Sequence, residues 1–216
     1  MKVVDTPRLR LYGELMTEQT WLRAFLAALE TVYDRDRYAA VQWTDAKWTE
    51  FLGKVLDEVG DNDAIDCFVV QRRKEIKEDF YSGEYLNIDA MFIDNNAYTS
   101  EQDKKWDPPV LPEVVVELEN RYDRKKIIYC LWKTLCIRSP LRVLVCYQEN
   151  KQNVRKLKKQ IEEVINKNRL MVGEHGALFV LIGNDNDEEV PEEAPWSEYF
   201  SIWEWEGAGL KAITEK

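Results

Sequence analysis

Three acidic side chains lie in apolar segments, where an acidic residue is unusual. Asp89 lies within YLNIDAMFI, residues 85–93, and Glu117 and Glu119 lie within PEVVVELEN, residues 112–120. Acidic residues are depleted in β-strands. Because side chains alternate along a strand, Glu117 and Glu119 point to the same face. If the two segments are neighbouring strands, Asp89 lies beside Glu117 and three carboxylates converge on one face of a sheet.

Converging carboxylates point to metal chemistry. Like charges at close range repel, and their burial is costly without a compensating cation. Mg²⁺, or Mn²⁺ in its place, is the natural one, since it prefers oxygen ligands and is held by one or two carboxylates together with substrate phosphates. Such an ion polarises a phosphate and generates a hydroxide nucleophile. The alternative is that Glu117 and Glu119 lie on a half-exposed strand face and meet only water.

The elements that must position these residues follow from hydrophobic periodicity. The pattern predicts helices over residues 18–32, 45–59, 123–138 and 151–168, and strands over residues 65–72, 85–93, 113–119, 141–147, 178–182 and 199–205. The strand–helix–strand step after residue 113 predicts a parallel pair, while the three preceding strands form a meander. The prediction is therefore an α/β fold in which a central mixed β-sheet is flanked by helices.

Two of these elements carry more detailed expectations. The helix over residues 123–138 should bury its apolar side chains, which are Ile127, Ile128, Leu131, Trp132 and Leu135. The strand LRVLVCY, residues 141–147, should be short.

The stretch over residues 45–147 resembles the core of the PD-(D/E)XK nuclease superfamily, the restriction-endonuclease-like fold, with its helix, three-strand meander, crossover helix and fourth strand. The resemblance implies that Asp89 and Glu117 are metal ligands and that the backbone carbonyl of Leu118 is a further one. It also implies a metal-dependent endonuclease that hydrolyses the DNA backbone, with DNA as the partner and a homodimer as a possible assembly. The apolar helix over residues 18–32 would serve that dimer or cover the core.

The third motif position departs from the family, because Glu119 stands where the family usually has Lys. In one reading Glu119 acts as general base or as an extra metal ligand. In another the lysine has moved to the following helix, where Lys125, Lys126 or Lys133 would supply it. Lys126 is preferred there because it lies in the opening turn. In a third reading the domain is inactive and serves as a binding or assembly module.

The superfamily often adds an acid from the helix before the sheet. Glu58 and Glu50 both lie in the helix over residues 45–59, and Glu58 is preferred because it borders the apolar face. The alternative is that both are solvated helix acids.

Charge is unevenly distributed along the chain. The formal net charge of −10 excludes a uniformly basic nucleic-acid binder but permits a local basic patch. The run RYDRKK, residues 121–126, is such a patch, and Arg121, Arg124 and Lys125 would hold the nucleic-acid backbone. The alternative is an ordinary solvated surface.

The chain of 216 residues fits one domain. Around the nuclease-like core over residues 45–147, residues 1–44 are a helical extension and residues 148–216 add a helix, strands and an acidic loop. The four cysteines form no CxxC pair, and we expect reduced core thiols. No signal-peptide or membrane-spanning pattern occurs, so the expected location is cytoplasmic. A generic α/β interaction protein with a coincidental acid pattern is the remaining hypothesis, and it predicts that Asp89 lies far from Glu117.

Overall fold

The architecture is taken from a computed structural model. It describes residues 16–35, 45–71, 88–95, 111–168, 176–184 and 199–213. The helices are α1 (Glu18–Arg35), α2 (Asp45–Gly60), α3 (Arg124–Cys136) and α4 (Lys151–Asn168). The strands are β1 (Cys67–Gln71), β2 (Ala90–Asp94), β3 (Val114–Glu119), β4 (Leu141–Gln148), β5 (Ala177–Asn184), β6 (Phe200–Glu206) and β7 (Gly209–Ala212).

The strands form one mixed sheet whose spatial order follows the chain, from β1 to β7. β1, β2 and β3 are an antiparallel meander, β3, β4 and β5 are parallel, and β5, β6 and β7 are antiparallel again. α3 and α4 connect the parallel strands. The predicted α/β class and mixed sheet are thereby confirmed, and β7 is an addition that the sequence pattern did not predict.

Each face of the sheet has its own apolar core. α1 and α2 pack on one face, against alternate residues of β3 and β4 such as Val116 and Val145. α3 and α4 pack on the other face, against Leu144 and Cys146. α1 buries Trp21 and seven further side chains, so this helix covers the core. β4 is buried along its whole length, as expected of a central parallel strand.

The predicted burial of α3 is wrong at Trp132, which is 45% exposed. The helix turns Ile127, Leu131 and Thr134 toward the sheet. At 100° per residue, Trp132 lies about 140° around the helix from Ile127, and its ring therefore points away from the sheet.

Two smaller expectations also need correction. β4 is not short, because it spans eight residues and pairs with β5 along its full length. All four cysteines have free thiols, but Cys136 is exposed, since it lies at the end of α3, and only the other three are in the core.

Local signals explain where the helices begin. The Oγ1 atom of Thr17 accepts a hydrogen bond from the Thr20 amide at 3.1 Å and so caps the start of α1. Asp123 caps α3 by accepting from the Lys125 amide at 2.9 Å. Four residues, 120–123, separate the end of β3 from the start of α3, which runs back along the sheet. Among the helices that the structure describes, none has the length and apolar character that a membrane crossing needs.

Some expectations fall outside the described ranges. They include the start of the second predicted strand at residues 85–87 and most of the acidic stretch, residues 185–198.

Candidate functional site

Asp89 lies directly before β2 and beside the chain of β3. Its Oδ2 atom accepts a hydrogen bond from the backbone amide of Leu118 at 2.9 Å. Ala90 is the register partner of Val116, so Asp89 continues the ladder opposite Glu117. The predicted juxtaposition of Asp89 and Glu117 is present, and the hypothesis of a coincidental acid pattern loses its main expectation.

Glu117 is fully buried on the face of the sheet that α3 covers. Its relative exposure is 0%, although it is an acid. The residues before it in β3 are all valine, and they are buried as well. The Nζ atom of Lys133, on α3, lies 2.6 Å from its Oε2 atom, and the Lys133 side chain is itself only 7% exposed. An ammonium thus compensates a carboxylate that is itself fully buried.

The pKa of Glu117 is raised from 4.5 to about 7. The largest cause is burial, which disfavours the charged form, and the second is the nearby charge of Asp89. Lys133 and the thiol of Cys130 act in the opposite direction. Burial and the charge of Glu117 in turn raise the pKa of Cys130 well above its usual range. The site therefore holds a carboxyl group that titrates near neutral pH.

Glu119 lies one step further along β3 and is partly exposed. Its Oε1 atom accepts a hydrogen bond from the Arg121 amide at 3.0 Å. Its negative charge contributes to the raised pKa values of Cys130 and Cys146, which both lie on the α3 face. Glu119 therefore shares a face with Glu117, as strand alternation predicts.

Leu118 points to the opposite face, where it packs against the core formed with α1 and α2. Its backbone amide is held by Asp89, as described above. The side chain thus anchors β3 while the backbone adjoins both acids.

Glu58 is not brought to this group of residues. It lies on α2, on the other face of the sheet, and its Oε2 atom pairs with Nη1 of Arg35 at 3.0 Å. The end of α2 that approaches the site is its beginning, because Thr49 is hydrogen-bonded to the side-chain amide of Asn120, next to Glu119. Thr49 and Glu58 are nine residues, or about 13 Å, apart along the helix axis.

The predicted backbone-binding residues lie together at the start of α3. Arg121, Arg124, Lys125 and Lys126 are all exposed. Lys126 is therefore at the surface, and the lysine that contacts Glu117 is Lys133.

The sequence contains a signal for Lys133 that opening-turn reasoning passes over. Because β3 and β4 are parallel, α3 must return along β3. The first turn of α3 then lies beyond the end of β3, whereas the later turns, with Cys130 and Lys133, lie over Glu117. Lys126 and Lys133 are seven residues apart on one helical stripe, so only the return direction separates the two candidates.

The oxygen atoms of Asp89 and Glu117 are the kind of ligand that Mg²⁺ takes. Within the described ranges, the Oε2 atom of Glu117 already contacts the ammonium of Lys133. No group of three or more His, Cys, Asp or Glu side chains within those ranges is arranged to hold a metal ion. The arrangement therefore offers two carboxylates, a neighbouring ammonium and a third acid at the edge.

Comparisons with protein-family models, with curated proteins and with solved structures found no match for this chain. The resemblance to the PD-(D/E)XK superfamily therefore stays an expectation from the sequence.

Proposed function

We propose that this protein is a metal-dependent phosphodiesterase that hydrolyses the DNA backbone. The observation that carries the proposal is the meeting of Asp89, Glu117 and Lys133 on one face of the sheet. Two acids and a buried lysine at the end of a central strand are what the predicted motif requires, with the lysine supplied by α3.

The donor chemistry suits a hard cation. Asp89 and Glu117 would hold Mg²⁺ or Mn²⁺, with the Leu118 carbonyl as a further oxygen ligand, and two carboxylates are a usual protein contribution to a Mg²⁺ site. When bound, the ion supplies a lowered pKa for water and polarisation of the phosphate.

The other residues have separate tasks in this proposal. Lys133 orients the attacking water and stabilises negative charge that develops on the phosphate oxygens. Glu119, which is partly exposed on the same face, accepts the proton of that water. Arg121, Arg124 and Lys125 hold the DNA backbone, which gives affinity without sequence information. A homodimer would place two such sites on the two strands of a duplex.

The test is thermal melting of the wild type and of Asp89→Ala, with and without millimolar Mn²⁺ or Mg²⁺, with plasmid nicking scored in the same samples. A ligand that binds only the folded state raises the melting temperature by mass action. We expect the metal to stabilise the wild type and to support nicking, and to do neither in the variant. A wild type that shows no metal shift and no nicking would overturn the proposal.

A second candidate is a catalytically inert nuclease-like fold that serves as a binding or assembly module. The full burial of Glu117 against Lys133 favours it, because this carboxylate already has a cation. This candidate predicts that Lys133→Met has a lower melting temperature than the wild type. It also predicts that neither Mg²⁺ nor Mn²⁺ raises the melting temperature of the wild type or of the variant.

A further inference from the structure

Two exposed aromatic rings lie against each other on the outer surface of α3. Tyr129 is 58% exposed and Trp132 is 45% exposed. Their centroids are 5.8 Å apart and their planes differ by 23°, so the rings are stacked on each other. We refer to this pair as the aromatic platform. Adjacent aromatic rings that are exposed to solvent are typical of an interaction surface.

The surroundings of the aromatic platform are cationic. Lys125 precedes Trp132 by seven residues, and Lys126 precedes Lys133 by the same interval, so each pair shares one stripe of α3. Tyr129 lies between the two stripes. Both Lys125 and Lys126 are exposed. In a chain with a net charge of −10, this local concentration of positive charge is complementary to a polyanion.

The aromatic platform is also joined to the candidate site. The Nζ atom of Lys133 lies 5.7 Å from the centroid of the Tyr129 ring and 2.6 Å from Oε2 of Glu117. One lysine therefore lies over the ring of Tyr129 and also contacts the buried acid. A ligand stacked on the rings would have its backbone beside the proposed catalytic group.

We propose that the aromatic platform and its lysines bind single-stranded nucleic acid. An unpaired base would stack on Trp132, whose ring is supported from the other side by Tyr129, and the adjoining phosphates would lie on Lys125 and Lys126. In a duplex the faces of the bases are covered by their neighbours, whereas an exposed aromatic ring stacks on any base whose face is open. The inference rests on the proposed function for its placement beside the cleavage site, and it adds a preference for DNA in which a strand is unpaired or displaced at that site.

The test is binding of a short fluorescein-labelled oligothymidylate by fluorescence anisotropy in EDTA, so that cleavage does not interfere. We expect Trp132→Ala to weaken binding roughly tenfold or more, and Trp132→Phe to retain most of it. Leu111→Ala is the matched control, because Leu111 is a comparably exposed apolar side chain outside α3, and it should bind as the wild type does. Trp132 lies outside the core, and unchanged melting temperatures confirm that all three variants are folded.

Two outcomes would overturn the inference. One is unchanged oligothymidylate binding by Trp132→Ala. The other is equal binding of a duplex of the same length with an equal loss in the variant. Metal-dependent nicking that persists together with unchanged binding by Trp132→Ala would reject the platform and keep the proposed function. Binding that depends on Trp132, without cleavage of any substrate in Mn²⁺ or Mg²⁺, would keep the platform and reject the nuclease.

Discussion

The ammonium of Lys133 lies 2.6 Å from Oε2 of Glu117, and the two side chains meet where α3 packs on β3. Both side chains are buried, so the ion pair has little contact with water. Removal of one partner from such a pair leaves a charge in a medium that solvates it poorly. Stability and the proposed activity therefore depend on the same contact.

Substitution of Lys133 by methionine should destabilise the protein by about 3–5 kcal/mol at pH 8, because the carboxylate of Glu117 then loses its cation. The loss should be smaller at pH 5, where Glu117 takes up a proton instead. Urea unfolding at the two pH values measures both effects. Lys126→Met is the control, since it makes the same change at an exposed position of the same helix. Equal losses in the two variants would contradict the structural role of the pair.

The pH dependence of stability should show the titration of Glu117. Its pKa is raised to about 7 in the folded state and is near 4.5 in the unfolded chain, so protonation favours folding. The stabilising contribution is fully present below about pH 4.5 and is lost as the pH rises through about 7. The linked free energy is on the order of 3 kcal/mol.

Glu117→Gln removes this titration. The difference in melting temperature, variant minus wild type, should increase progressively between pH 5 and pH 8. The reason is that only the wild type loses the stabilising proton over this range. Other carboxylates contribute equally to both proteins and cancel in the difference. A difference that stays constant over this range would show that Glu117 does not titrate there.

Asp89→Asn should lower the pKa of Glu117, because the charge of Asp89 is one of the two causes that raise it. The substitution retains a side-chain oxygen that can accept the Leu118 amide, so β3 should keep its position. Lys133→Met should move the same pKa upward. Carboxyl ¹³C chemical shifts of Glu117 followed by NMR over pH 4–9 measure both changes. Shifts in the same direction would show that the charges act by another route.

The parts of the fold that sequence patterns predict are those with strong periodicity. β3, α3 and β4 were placed to within a few residues, since a valine run, a helical spacing and a second apolar run follow one another closely. β7 escaped prediction because its four residues, GLKA, carry no apolar alternation. It forms by pairing with β6 across a two-residue turn, residues 207–208, which a search for apolar periodicity does not detect.

The candidate site divides in the same way. Strand alternation and the meander were enough to place Asp89 beside Glu117. The choice among Lys125, Lys126 and Lys133 was not decided by type or spacing, because it depends on the path that the chain takes from β3 into α3. The exposure of Trp132 was missed for a related reason. The five apolar side chains of α3 span a wider arc than one sheet face can cover.

The lysine that serves the proposed reaction should be identified by comparing Lys133→Ala with Lys126→Ala in plasmid nicking. Lys133 contacts Glu117, whereas Lys126 is exposed two turns earlier on α3. We expect nicking to fall at least about a hundredfold in Lys133→Ala, since it would lose charge stabilisation of the transition state. Lys126→Ala should retain nicking within a few-fold. Nicking is assayed at pH 6 and at pH 8, and each variant is scored only at a pH where melting shows that it is folded. A loss of nicking then reports a loss of catalysis and not unfolding. The reverse ranking would return the catalytic role to the opening turn of α3.

The salt dependence of single-strand binding should report the cations at the start of α3. Each lysine that neutralises a phosphate contributes about 0.7 to the slope of log affinity against log salt for a single strand. Lys125→Ala and Lys126→Ala should therefore each reduce the slope by about that amount. Trp132→Ala should weaken binding at every salt concentration and leave the slope unchanged, because stacking releases no counterions. Lys159→Ala is the control, since Lys159 is an exposed lysine on α4 paired with Glu163. Oligothymidylate titrations between 50 and 200 mM salt, the range over which such contacts change affinity strongly, measure the slopes. A slope that falls as much in Lys159→Ala as in Lys125→Ala would mean that the strand follows α4 instead.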